Sequence, residues 1–185
     1  MIKLDKSKHE KIHTRRIDVA TYEGHSDTII VEGRLKDERF KQIYRPTGEN
    51  VPPGTVHHMI IRMKVRRSEL IIEDIDVDMP TVPHEGCPET RTSLEPVKGM
   101  RITSGFTTKV KDLVGGSKGC AHLVALLVSM ASAAVQGAWT ALSRNPVENS
   151  GYLERAMQTI VDTCRVWRTD GPMLKKYRKK FKRKS

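Results

Sequence analysis

Four residues could do chemistry together if the fold brings them to one place: His57, Cys87, Cys120 and His122. Thiolate and neutral imidazole are the donors that zinc and iron–sulfur centres take. Zinc on such a set needs sulfur near about 2.3 Å and nitrogen near about 2.0–2.1 Å, with His122 or water as the fourth ligand. The same residues allow a second chemistry, in which Cys120 is a nucleophile and His57 or His122 is its base. The spacing is not a local motif, because no Cys-x-x-Cys pair occurs and a long stretch of chain separates Cys87 from Cys120. Two half-buried small residues would give the same pattern, since free cysteine is among the most buried types.

The elements must therefore do the positioning. Cys120 and His122 follow Gly115, Gly116 and Gly119, and no charged side chain occurs from there to Arg144. This reads as a turn entering a long central helix over about 118–143. The positive end of the helix dipole lies there and favours thiolate. On a regular helix two consecutive-but-one residues point apart. His122 thus joins Cys120 only if the first turn is irregular, and is otherwise a core or interface histidine. Cys87 sits in a loop stiffened by Pro80, Pro83 and Pro88.

His57 opens a strand over 56–66, where His57, Met59, Ile61, Met63 and Val65 share one face and His58, Arg62 and Lys64 the other. Strands over 11–22, 27–36 and 70–79, joined locally, complete an antiparallel sheet of about four strands. Residues 37–55, with three prolines and two glycines, read as a loop. Short helices are expected over 88–97 and 107–114. An amphipathic helix over 152–167 follows, with Cys164 on its apolar face as core. Strands first and helices afterwards make the fold α+β.

The chain divides into one domain over 1–170 and a basic tail over 171–185. The eight cations of that tail, which carries no acid, leave only +3 of the formal +11 to the rest. Such a tail reads as mobile and could contact nucleic acid, an anionic surface or an acidic protein. The polar N-terminus has no apolar signal core, which points to the cytoplasm. Three cysteines in a reducing compartment leave room for metal or thiol chemistry. The uncharged run over 119–143 is long enough to span a membrane, but it is rich in Ala, Ser and Gly and too mild for one. No Ser-His-Asp order, phosphate loop or glycine-rich nucleotide fingerprint occurs. Asp74, Asp76 and Asp78 alternate along one strand face, as a solvated face does.

His13-Thr14-Arg15-Arg16, His57-His58-Met59, Gly86-Cys87-Pro88, Leu94 to Gly99 and Gly119-Cys120-Ala121-His122-Leu123 occur in that order. In this the chain resembles a bacterial family known only as a domain of unknown function, over roughly residues 11–170. An acid typically follows the strand histidine in that family, and His58 takes its place here. More distantly, the chain is similar to NifU-like iron–sulfur scaffold proteins. Cys87 and Cys120 resemble two of their cysteines; Thr55 stands near the third, and His57 near an acidic position. That resemblance implies a NifU-like architecture, with zinc or a cluster at the site. The residues point to a scaffold or accessory factor, with a Cys120 enzyme and a non-catalytic interaction module as alternatives.

Overall fold

The computed structural model describes residues 5–144 and 160–182. Four long strands form one antiparallel sheet in chain order: β1 (His13–Glu23), β2 (Thr28–Arg39), β3 (Gly54–Arg66) and β4 (Ile71–Thr81). Alternation sets the two faces. Ile29, Val31 and Leu35 of β2 are buried with Met59, Ile61 and Met63 of β3, while Arg34 and Lys64 point to water. The outer face is a lattice of ion pairs, such as Arg62 with Glu32 and Asp76, and Lys64 with Glu73.

Helices cover the inner face. Short 3-10 turns at Cys87–Thr92 and Glu95–Val97 lead to α1 (Phe106–Val114), which buries Phe106, Val110 and Val114. The single helix expected over 88–97 is thus two turns. Pro96, at the start of the second, has no N–H with which to continue the ladder of the first. The long helix, α2 (Ala121–Leu142), lays Leu123, Leu126, Leu127, Met130, Ala134 and Ala138 on the sheet. Small residues let it sit close. A Cβ on Gly33 of β2 would stand 2.5 Å from Met130 Sδ, and one on Gly137 would stand 2.6 Å from Thr21 Cβ of β1.

By length and composition α2 could cross a membrane. Here its apolar surface is used on two sides. One packs on the sheet; on another, Val135 and Trp139 meet Ile160, Leu174 and Trp167. Leu174 belongs to α3 (Pro172–Lys182), so the first part of the basic tail is a helix anchored by one buried leucine. This corrects the expectation that the tail lies free of the fold. Lys175, Lys176, Arg178 and Lys179 stand exposed on it.

The first half of the amphipathic helix expected over 152–167 lies outside the described residues. The part that is described is not α-helical beyond Ile160. Asp162 takes a left-handed φ of 59°, its carboxylate accepts hydrogen bonds from Thr169, and a 3-10 turn follows at Arg165–Trp167. Cys164 is exposed as a result, a correction to its expected place in the core.

Candidate functional site

Strand register builds the site. Arg15 of β1 pairs with Asp37 of β2, and Asp37 pairs with His57 of β3, so the three stand in a row at one end of the sheet. Arg15 Nε donates to Asp37 Oδ1 and Arg15 Nη2 to Oδ2, both at 2.7 Å. His57 Nδ1 lies 2.9 Å from Oδ2. An ionised carboxylate only accepts, so Nδ1 is the donor; Nε2 of a neutral His57 keeps its lone pair. His13 Nε2 approaches Oδ1 at 3.5 Å. Asp37 itself is the one buried charged residue among those described, at 2% exposure. Two donors on Oδ2 and a third on Oδ1 are what make that burial tolerable.

The helix supplies the other half. The sequence predicts a helix from about 118, but α2 begins at Ala121. Gly116–Lys118 forms its own 3-10 turn, and Cys120 is the N-cap residue, extended at φ −105° and ψ 125°. An N-cap stands outside the helical spiral, so its side chain is not bound to the 100° step that would carry it away from His122. Cys120 Sγ lies 3.7 Å from His122 Nδ1. The pair meets because α2 starts at Ala121 and leaves Cys120 outside the helix, with no irregularity needed within the helix itself. His122 Nε2 lies 3.7 Å from Asp37 Oδ2, and its ring stacks on that of His57 at 3.8 Å between centroids. Asp37, His57 and His122 each offer a ligand atom within 4.8 Å of the others, a group that could hold a metal ion.

Cys87 reaches the same cavity from the turn that follows β4. It begins its 3-10 turn with its N–H bonded to the His84 carbonyl, and it lines a cavity of about 590 Å³ together with His57, Cys120 and His122. The structure thus brings all four sequence-predicted residues to one cavity. The loop expected over 37–55 is partly ordered into a two-stranded ribbon, Ile43–Tyr44 with Asn50–Val51, whose Ile43 and Val51 form part of the wall.

Electrostatics separate the two ends of the cluster. Hydrogen bonds from Arg15 hold the Asp37 carboxyl below its ordinary range, against the opposing effect of burial, and His57 adds to the lowering. Burial pushes the His122 imidazole below its ordinary 6.5, and the neighbouring His57 and Arg15 push the same way, against the Asp37 carboxylate. His122 is therefore neutral at pH 7, the form in which histidine binds a metal.

Sequence reasoning missed Asp37 and Arg15. It ended the second strand at Lys36, three residues early. Asp37 continues the inward parity of Ile29, Val31 and Leu35, and an acid on that parity was the available signal. The site's carboxylate comes from this neighbouring strand, whereas His58 faces outward opposite Lys36. Asp74, Asp76 and Asp78 stay apart from the site, and each meets a cation of the protein: Lys98, Arg62 and Arg91.

The family described as a protein of unknown function (DUF2889) matches residues 13–136, which span the row, the cavity and most of α2. No curated protein and no solved structure matches the chain, so the likeness to NifU-like scaffolds finds no support there.

Proposed function

We propose that this chain, which belongs to the DUF2889 family of proteins of unknown function, holds one zinc-class metal ion at the mouth of its cavity and uses it on a small molecule. The observation that carries this reading is the pairing of Cys120 Sγ with a neutral His122 Nδ1 at 3.7 Å. Two ligands of one tetrahedral zinc, one sulfur and one nitrogen, stand about 3.6 Å apart. His57 and Cys87 line the same cavity and are the further donors of this reading.

Asp37 fits an orienting role better than a ligand's. Its oxygens are engaged by Arg15 and His57, and an ion bound to them would sit beside a guanidinium. A carboxylate behind a ligating histidine fixes the tautomer and raises the basicity of the ring. A site that opens on a cavity leaves a coordination position for substrate or water, which separates catalytic from purely structural zinc. Iron with sulfide is the other group these donors hold, and elemental analysis of the purified protein distinguishes the two. Reduced thiols at Cys87 and Cys120 favour a cytoplasmic setting.

A second reading rests on the same pair. Cys120 Sγ, His122 Nδ1 and then His122 Nε2 with Asp37 Oδ2 form a thiol–imidazole–carboxylate chain, with both steps at 3.7 Å. The lowered His122 disfavours a standing thiolate–imidazolium pair, which makes this the weaker account. Alkylation by iodoacetamide decides between them. The metal reading predicts that stoichiometric zinc protects Cys120 at neutral pH. Fast alkylation that zinc does not slow supports the nucleophile.

A further inference from the structure

The cavity carries a cation, Arg39, that no acid among the described residues meets. Arg39 ends β2 and is half-buried where two lobes of the groove join, one of about 590 Å³ and one of about 450 Å³. Its guanidinium is pinned by backbone carbonyls: Nε donates to Lys41 O at 3.1 Å and Nη2 to Pro52 O at 2.9 Å. Its remaining nitrogen, Nη1, has no partner among the described residues. The other cations along the groove are matched: Arg15 by Asp37, Lys41 by Glu10 and Arg45 by Glu49. The cavity that Arg39 shares with the two thiols is also lined by the apolar Ile43, Val56, Met59 and Val82.

We infer that the groove binds an apolar monocarboxylate, with its carboxylate on Arg39 and its chain along the apolar wall toward His57 and Cys120. One unmatched cation calls for one negative charge, which fits a carboxylate rather than a doubly charged phosphate monoester. A guanidinium already held on two sides loses little freedom on taking the third bond. Burying its charge without an anion is unfavourable, and a charge-assisted bond to a ligand removes that cost. The volume lies within the range of small-molecule sites. The inference rests on the metal reading only in taking the His57–His122 end as the reacting end.

Calorimetric titration of the full chain with hexanoate, and separately with hexan-1-ol, tests this. Hexanoate should bind and hexanol should bind at least about tenfold more weakly, the size of one charge-assisted hydrogen bond. R39Q should lose about as much for hexanoate and nothing for hexanol. R34Q, which removes the same charge from the outer face, should leave both unchanged. No hexanoate binding, equal binding of the alcohol, or an equal loss in R34Q would overturn the proposal. Unchanged melting of R39Q, or retained hexanol binding, shows that the variant is folded. The titration is run on chelator-treated and on zinc-loaded protein. Hexanoate binding to a chain that takes no zinc removes the metal reading alone, and zinc binding without hexanoate binding removes this one alone.

Discussion

Cys120 and His122 are two residues apart in sequence and 3.7 Å apart in space because only one of them is in the helix. His122 is fixed by α2 in its first turn, while Cys120 is extended before it. The pair is thus a product of where α2 starts. Had the helix begun two residues earlier, the thiol and the imidazole would diverge.

Arg15→Ala should cost about 1–2 kcal/mol at pH 7, since it leaves Asp37 buried beside weaker partners while water reaches the half-exposed gap. The Asp37 carboxyl titrates below its ordinary 3.8 in the fold. Its contribution is present above the unfolded value and lost as pH falls through the folded one. The gap in melting temperature between wild type and variant should therefore be constant near neutrality and close in acid. A gap that widens in acid would contradict the role given to Arg15.

His122→Gln should flatten the pH dependence of stability in metal-free protein just below 6.5. In that window the unfolded chain takes up a proton that the folded imidazole refuses, so wild-type stability rises with pH there. Thermal melts of wild type and variant across this range check the sign. Equal slopes would mean that burial does not hold His122 neutral.

Much of this was legible in the sequence, for reasons specific to certain residues. The alternation around His57 placed it on the inward face, and the uncharged run after Gly119 marked α2. What was not legible depended on register and on ends. Asp37 faces His57 only through the pairing of β2 with β3, which no local pattern encodes. The N-cap conformation of Cys120 depends on the 3-10 turn before it. The burial of Leu174 depends on a face of α2 left open by the sheet.

Gly137→Ala should destabilise the fold by about 1–3 kcal/mol, because the new Cβ meets Thr21 on β1 and either the strand or the helix must shift. Thr21 Oγ1 also donates to the Ala133 carbonyl, which ties the strand to that spot. A melting temperature equal to wild type would show that α2 does not approach β1 as described.

Leu174→Ala should cost about 2 kcal/mol, at the low end for a buried leucine in a small cluster. Deleting residues 171–185 should lower the melting temperature by a similar few degrees. No change in either would return the tail to a free, purely electrostatic segment.

The most direct test of the central claim is zinc stoichiometry by elemental analysis, paired with the absorption spectrum of cobalt-substituted protein. Wild type should take one ion per chain and show a thiolate-to-cobalt charge-transfer band. Cys120→Ser combined with Cys87→Ser should lose the band, His57→Ala combined with His122→Ala should lose the ion, and Asp37→Asn should keep it with affinity about 10–100-fold weaker. Wild-type protein that binds no metal above background, or a double histidine variant that binds as well as wild type, would contradict the account.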